Sequence, residues 1–341
     1  MSEDRWPFPF PRGTPPFRGE SRFSTIDALH DGSGPWKLAF LQMGPWPRPT
    51  TATHVFTGRI LIAVTSYPGP LLVRGTIPPG ACNISTPVLP GGKMFSHGRA
   101  ITERQIVIRR RGGDVDFHTL GPLRVLAATI EADLFEESLG TRLGDELQPR
   151  RGRQFVFRSP RSGRTLASHL DRLVAEHWGP GPAPPSRHRT RLLDRELLAA
   201  VLDGVEPFRP VAPDPGRRVA ARQLERFLRA QFRRPVSIHG ACEGLGVSLR
   251  SAEQGFHEAF GISPRAYLAL LRLNAARVEL RRRPFGTSVS GVAATVGFLH
   301  AGRFSLGYRR LFGESPSDTV SRAVPGDGLT PRGRPDGDAA K

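Results

Sequence analysis

The feature that most constrains the fold is a pair of similar segments between Ser237 and Val320. The first reads SIHGACEGLGVSLRSAEQGFHEAFG and the second reads SVSGVAATVGFLHAGRFSLGYRRLFG. Each begins with a short helical pattern that has a small residue at its middle, passes through a glycine, and continues into a longer helical pattern that ends in an aromatic pair and a second glycine. A glycine at a tight corner permits a positive φ, and a small residue lets crossing helices approach. Each segment therefore predicts a helix-turn-helix unit.

A long helix is expected to separate the two units. Ser248 stands where the longer helix of the first unit begins, and a serine there accepts a hydrogen bond from a free backbone N–H. The connecting helix is expected over residues 264–282, and a helix of that length rises about 28 Å. Successive major-groove faces on one side of a duplex are ~34 Å apart. We therefore expect helices 248–260 and 300–312 to reach adjacent major grooves of one DNA duplex.

The net charge gives only modest support for a nucleic-acid partner. The chain of 341 residues carries a formal charge of +18, and its only lysines are Lys37, Lys93 and Lys341. Arginine suits phosphates and base edges because its planar guanidinium donates two parallel hydrogen bonds. A genome rich in G and C also raises the arginine content everywhere, and this accounts for much of the excess. The length suits two domains, each with its own core.

Cysteine usage and the chain ends favour a cytoplasmic protein. Cys82 and Cys242 are far apart in the sequence and give neither a disulfide framework nor a metal-binding spacing. The proline-broken beginning does not resemble a signal peptide, and no apolar run approaches the ~20 residues that cross a bilayer. We expect no membrane association, a disordered arm over residues 1–22 and a disordered tail over residues 323–341.

Short apolar runs separated by glycine and proline fill residues 23–135. Their spacing of roughly 8–12 residues is typical of an antiparallel barrel or sandwich. A small barrel can hold one ligand inside, but nothing in these runs identifies the ligand-binding residues. His54, His97 and His118 are scattered, so we expect no metal site and no cofactor. No catalytic constellation stands out, and we expect no enzyme activity.

Helical periodicity follows the predicted barrel. Residues 136–205 are interpreted as a helical connector, whose apolar stripes suit either a dimer interface or packing on the barrel. The segment 206–216 is rich in proline and is the predicted linker. Strong helical patterns then fill residues 217–322. The expected fold is an α+β multidomain chain, with an antiparallel β-barrel and flanking helices followed by an all-α domain.

The second helix-turn-helix segment carries a specific combination of residues. These are Gly297-Phe298, Gly302-Arg303-Phe304, Tyr308-Arg309-Arg310, Phe312-Gly313-Glu314 and Pro316-Ser317. With them, the stretch 217–322 resembles the seven-helix DNA-binding domain of the AraC/XylS family of transcription regulators. The strand-rich part, by its layout, resembles the cupin-like barrel that precedes this domain in one branch of the family.

The resemblance implies DNA-reading residues in both units. In the first unit these are Ser248, Leu249, Arg250, Glu253 and Gln254, where the arginine suits guanine, the glutamate suits cytosine and the glutamine suits adenine. The family usually has leucine and arginine where Ala252 and Gln254 stand. Loss of that leucine is expected to weaken helix packing by about 1–3 kcal/mol.

The second unit implies a larger reading set. Its members lie in or just before the second longer helix: His300, Ala301, Gly302, Arg303, Ser305, Leu306, Arg309 and Arg310. The small residues allow close approach to a thymine methyl, and the last two arginines suit phosphates.

The resemblance implies a regulator of promoter DNA, more often an activator, that contacts RNA polymerase. Its barrel is expected to sense a small-molecule effector or to form a homodimer. Two other classes stay open. One is a co-regulatory protein that no longer reads DNA because its first unit has degenerated. The other is a DNA-modifying enzyme fused to this domain, which would need a reactive cysteine motif that neither cysteine has.

Overall fold

The computed structural model describes residues 13–32, 36–88, 93–140, 154–178, 183–207, 215–282 and 288–322. A part made of antiparallel sheets is followed by a helical domain, which confirms the predicted fold class. The first twelve residues of the predicted arm, the predicted tail and most of the predicted linker lie outside the described residues.

The N-terminal part contains thirteen strands and four helices within the described ranges. The strands are β1 Phe17–Phe23, β2 Lys37–Gln42, β3 Thr50–Phe56, β4 Ile60–Tyr67, β5 Leu71–Thr76, β6 Ala81–Pro87, β7 Met94–Ser96, β8 Arg99–Ile101, β9 Gln105–Arg109, β10 Asp114–Thr119, β11 Leu123–Glu131, β12 Gln154–Arg158 and β13 Glu206–Pro207. The helices are α1 Ile26–Asp31, α2 Ala132–Gly140, α3 Gly163–Trp178 and α4 Arg187–Leu202.

The strands form two antiparallel sheets. The larger has the order β1-β3-β4-β11-β6-β9-β12-β13, and the smaller has the order β2-β5-β10-β7-β8. The sheets face each other through apolar side chains such as Met94, Val107 and Val125. Alternate residues of each strand point to opposite faces, so the larger sheet also has an outer apolar face. Together these two faces explain why the short apolar runs of the sequence are so densely buried.

Helices α3 and α4 cover that outer face. Leu166 and Leu170 of α3, with Leu193 and Leu197 of α4, share one buried core with strand residues that include Ile84. Of the two roles left open for these helices, the structure shows packing on the sheet.

Three strands lie where the sequence predicted none. β1 pairs with β3 from Phe17 to Phe23, so the prediction of a disordered arm is wrong for residues 17–22. β12 pairs with β9 inside the predicted helical connector, which is therefore not purely helical. β13 begins the predicted linker and pairs with β12. The pairing of β1 and β12 was hidden because their partners are distant in the sequence.

Asp194 on α4 is a buried carboxyl group without full hydrogen bonding. Its side chain is 5% exposed, and its Oδ1 atom has no partner among the described residues. Burial raises the pKa of Asp194 to about 6, against the opposing hydrogen bond from Thr57. The folded state therefore holds this proton more tightly than the unfolded chain does. The resulting destabilisation develops as the pH rises from the ordinary value of 3.8 through about 6, and stays constant above that.

We expect Asp194→Asn to stabilise the protein at pH 7.5 by about 1–2 kcal/mol, because the amide is not penalised for being charged. At pH 4.5 the gain should shrink to about a third of that, because the unfolded chain is largely ionised there while the folded carboxyl is still protonated. Chemical denaturation at the two pH values measures the difference. Glu103→Gln, at an exposed turn position, is the control and should change stability little at either pH. Equal effects of Asp194→Asn at both pH values would contradict the assignment.

The C-terminal domain has seven helices within the described residues, as predicted. They are α5 Pro215–Gln231, α6 Ile238–Gly244, α7 Leu249–Phe260, α8 Pro264–Arg282, α9 Val289–Thr295, α10 Ala301–Phe312 and α11 Pro316–Arg322. Helix α8 contributes to two cores. One joins it to α5, α6 and α7, and the other joins it to α9, α10 and α11.

Two apolar side chains on the helices of this domain are exposed. Val219 of α5 is 53% exposed and Val278 of α8 is 46% exposed. Helix α8 packs against neighbours on several sides, so a single stripe does not describe it. Its buried set includes Tyr267, Leu271 and Leu280.

The helical domain is joined to the sheets by polar contacts at α8. The backbone N–H of Gln42 donates to Asn274 Oδ1 over 2.9 Å, and Asn274 Nδ2 donates back to the Gln42 carbonyl over 2.9 Å. The Gln42 side chain donates to the Leu311 carbonyl on α10 over 2.6 Å. Arg277 on α8 donates to Asp27 on α1 over 2.6 Å and to Glu314 over 2.8 Å. These bonds link the second helix-turn-helix unit to the sheet-containing part.

An aromatic stack joins the first unit to the sheets. The ring of His118 on β10 lies 4.7 Å from that of Phe95 on β7 and 5.2 Å from that of Phe260 at the end of α7, measured between centroids. His118 is fully buried, and burial lowers its pKa to about 4. It is a neutral packing residue at the boundary between the two parts of the chain.

Candidate nucleic-acid interface

The first helix-turn-helix unit is formed by α6 and α7. Gly246 in the turn has a φ of +66°, the left-handed conformation expected from the sequence. The Ser248 hydroxyl accepts a hydrogen bond from Ser251 N over 3.1 Å and so caps α7. Ala252 and Phe256 are fully buried on the inner side of α7. This leaves the opposite side of α7 available to a ligand.

Close packing of α7 on α5 depends on Gly255. A Cβ atom at this position would lie 2.2 Å from the Arg217 carbonyl oxygen. The backbones of α5 and α7 are therefore so close at Gly255 that no larger side chain fits there. The cost expected from the absent leucine at Ala252 stays a prediction.

The second unit is formed by α9 and α10. Gly297 in its turn has a φ of +92°. Phe304 and Tyr308 are fully buried, and the Tyr308 hydroxyl bonds that of Thr319 on α11 over 2.8 Å. His300 occupies the position before α10 but makes no side-chain capping hydrogen bond. The first backbone N–H groups of α10 therefore receive no side-chain cap from His300.

Most of the predicted reading residues are exposed. In the first unit these are Ser248, Arg250, Glu253 and Gln254. In the second they are His300, Ala301, Gly302, Arg303, Leu306, Arg309 and Arg310. Leu249 and Ser305 are half-buried, and Leu249 packs against the core of α5, α6 and α7. The contacts of these residues with DNA are predictions.

The two reading helices differ in charge. Helix α10 carries Arg303, Arg309 and Arg310 and no acidic residue, and no ion pair within the described chain neutralises these three. Helix α7 carries a single arginine, Arg250, together with Glu253 and Glu258. Neutralisation of phosphates provides most of the sequence-independent affinity for DNA. The surface of α10 suits the backbone of a duplex better than that of α7.

The sequence reasoning missed one exposed residue beside α10. Leu299 precedes the start of α10 and is 88% exposed. Leu299 follows Phe298, which packs on the core. The sequence alone does not show which of two adjacent apolar residues is buried. Arg277 was also missed, because nothing in the local sequence shows that its partners are Asp27 and Glu314.

The two cysteines lack the reactivity that a cysteine-dependent enzyme would use. Both cysteines are buried and free. Burial, with a smaller effect from Glu136, raises the pKa of Cys82 to about 12, and burial also raises that of Cys242. A thiol with a raised pKa is a poor nucleophile. No group of three or more His, Cys, Asp or Glu side chains in the described ranges is placed to hold a metal ion. None of the described helices has the length and apolar character needed to span a membrane.

Comparison with known proteins connects this geometry to a family. A family model described as a helix-turn-helix domain matches residues 241–322. The chain is 32% identical over 217 residues to a probable thc operon regulatory protein of Rhodococcus erythropolis, covering 60% of this chain and 63% of that one. It is 30% identical over 150 residues to the XylDLEGF operon transcriptional activator 2 of Pseudomonas putida, covering 44% of this chain and 86% of that one.

A solved structure is also similar to part of this chain. A probable AraC family transcriptional regulator from Rhodopseudomonas palustris CGA009 is 36% identical, with a TM-score of 0.30, over 31% of this chain and 99% of that one. The matched region spans less than two thirds of several curated relatives, including 31% of a XylDLEGF operon transcriptional activator of Pseudomonas putida.

Proposed function

This chain belongs to the AraC/XylS family of transcription regulators, and we propose that it binds promoter DNA through α7 and α10 placed in adjacent major grooves. The observation that carries the proposal is the surface of α10. Three arginines project from it, none of them in an ion pair with a described carboxylate, beside the small residues Ala301 and Gly302. A positively charged helix that also has a patch of small residues can approach a duplex closely.

The two helices take different roles in this proposal. Helix α10 supplies most of the backbone contacts through Arg309 and Arg310, and Arg303 reads a base edge. Leu299, the exposed residue missed in the sequence, adds an apolar contact to a thymine methyl. Helix α7 reads bases through Arg250, Glu253 and Gln254, while Leu249 mainly supports the helix because it packs on the core.

The remaining parts of the proposal concern regulation. We propose that the protein acts in the cytoplasm as an activator that contacts RNA polymerase, since several similar proteins are named as transcriptional activators. The sheet-containing part is proposed to bind a small-molecule effector or to form a homodimer. Contacts at Gln42, Asp27 and His118 support a regulatory role, because they join this part to both helix-turn-helix units.

A gel-shift titration tests DNA recognition directly. The purified full-length protein should bind the DNA upstream of its own gene at least about a thousandfold more tightly than random duplex at physiological salt. Its affinity should fall steeply as salt rises, because bound arginines release counterions. Equal binding of the two duplexes would overturn sequence-specific recognition, and absence of both would favour the DNA-independent co-regulatory alternative.

A further inference from the structure

A cleft between α5 and the smaller sheet has an unusual excess of positive charge. We refer to it as the α5 cleft, and its volume is about 480 Å³. Small-molecule sites are commonly of roughly 300–1,000 Å³. The cleft is lined by six basic side chains: Lys37, Arg74, Arg218, Arg222, Arg226 and Arg229. Its acidic lining residues are Asp114, Asp116 and Glu225.

Two of the three carboxylates already form ion pairs with Arg74. Arg74 donates to Asp116 over 3.1 Å and to Glu225 over 2.5 Å. Glu225 also accepts a hydrogen bond from the Tyr267 hydroxyl over 2.7 Å. Asp114 is the only acidic lining residue left, and it is exposed at the start of β10. Arg229 also forms an ion pair with Glu225, over 3.9 Å. The charges of Arg218, Arg222 and Arg226 are therefore the ones that no ion pair balances inside the cleft.

Three of those arginines form a row along α5. Arg218, Arg222 and Arg226 follow one another at four-residue spacing, where like charges repel by a few tenths of a kcal/mol for each pair. No ion pair to a described carboxylate relieves them, whereas Arg217 pairs with Glu258 and Arg233 pairs with Glu279. A row of unpaired arginines that faces a cleft is a natural site for an anion.

The opposite wall adds to this arrangement. Lys37 of β2 lines the cleft from the sheet side. At the tip between β7 and β8, His97 and Gly98 both have positive φ, of 49° and 68°. A Cβ atom at Gly98 would lie 3.6 Å from the Arg222 guanidinium, so the Arg222 side chain is held against this turn.

Burial lowers the pKa of Arg222, with Asp116 opposing and Arg218 and Arg226 adding to the decrease. An oxyanion would stabilise the charged form.

We propose that the α5 cleft binds a small organic oxyanion with two or more negative charges, held by Arg218, Arg222 and Arg226 on one wall and Lys37 on the other. Such a ligand would bridge the helical domain and the sheets. An effect of this ligand on DNA binding rests on the proposed function above. Binding of the ligand itself does not, because it is measured without DNA. Phosphate esters and polycarboxylates share the chemistry that the cleft recognises.

Isothermal titration calorimetry on the full chain tests the proposal. The probes are pyrophosphate and ATP for phosphate esters, citrate for polycarboxylates, and acetate as a singly charged control, all at matched ionic strength. Saturable binding by at least one multiply charged probe, and not by acetate, is the expected result. Preference for pyrophosphate and ATP identifies a phosphate ester, and preference for citrate identifies a polycarboxylate. The proposal is overturned if no multiply charged probe binds.

Matched variants locate the site. The double change Arg222→Gln with Arg226→Gln should weaken binding by about tenfold or more, since two charge-assisted contacts are lost. The control Arg164→Gln with Arg195→Gln removes the same charge from exposed positions on α3 and α4 and should stay within about twofold. Lys37→Gln on the sheet side should also weaken binding, and it serves if the α5 variant does not fold. Equal weakening of anion binding by the control would overturn the site, because it would show a general effect of charge. Loss of DNA affinity in the α5 variant, without any binding of small anions to the wild-type chain, would also overturn it and would favour contact of these arginines with DNA phosphates. A failed gel shift with intact anion binding would count against the proposed function alone.

Discussion

Arg277→Met should destabilise the protein by about 3–5 kcal/mol, the largest effect expected of any single change considered. Arg277 is 5% exposed and its guanidinium bridges the carboxylates of Asp27 and Glu314. It also lies 4.6 Å from the centroid of the Phe312 ring on α10. Burial opposes its charge, but Asp27 and Glu314 outweigh that effect and raise its pKa. Without the arginine, two poorly hydrated carboxylates remain close together.

Urea denaturation of the full chain measures this effect. Arg281→Met is the matched control, since Arg281 lies one helical turn further along α8 and contacts Asp27 and Asp31 but is 40% exposed. It should cost less than about 1 kcal/mol. Without Arg277, Asp27 and Glu314 keep only the more exposed Arg281 and Arg322 as ion-pair partners. Adding Asp27→Asn and Glu314→Gln to Arg277→Met should therefore recover part of the loss, because two poorly compensated charges disappear. A loss below about 1 kcal/mol for Arg277→Met would contradict the bridging role.

Arg303→Ala is expected to lower the affinity for the specific promoter site by about 1–3 kcal/mol, or roughly 5- to 150-fold. Arg303 is exposed on α10 and has no ion pair within the described chain, so the change removes little from the folded protein. An arginine that reads a base edge should lose more affinity for the specific site than for random DNA. Gel-shift titrations with both duplexes measure this difference.

Two further variants separate reading from backbone contact. Arg250→Ala on α7 is expected to have a similar effect on specific affinity if the first unit reads bases. Arg310→Gln, at an exposed position near the end of α10, should weaken specific and random binding alike and reduce the salt dependence by about one counterion. If Arg303→Ala behaved like Arg310→Gln, Arg303 would be a phosphate contact and not a reader.

The helical domain was predictable because its signals are local. Ser248 and the proline at the start of α8 mark helix beginnings, and the buried Phe304 and Tyr308 repeat at helical spacing. Strand β12 was missed because five residues cannot show a period, and its partner β9 lies about 45 residues earlier in the sequence. The contacts of Arg277 and Gln42 were equally inaccessible, because they depend on tertiary packing between distant parts of the chain.

The candidate interface was predictable to a similar extent. Helical spacing correctly separated the exposed Arg303 and Arg309 from the buried Phe304. It could not show that Leu249 packs on the core, because a position near a helix start belongs to both the turn and the helix face. Helical spacing also could not show how closely α5 approaches α7 at Gly255, because that distance is a property of the helix pair.

The contacts of Phe260 and Leu311 with the sheets have a consequence for promoter architecture. Phe260 ends α7 and stacks on His118, and the Leu311 carbonyl on α10 accepts a hydrogen bond from Gln42. Helices α7 and α10 are thus both held against the sheet-containing part as well as joined by α8. A braced pair has less freedom to rotate or slide, so the promoter must supply its two half-sites at a nearly fixed separation. Single-base insertions between the half-sites should consequently be tolerated poorly.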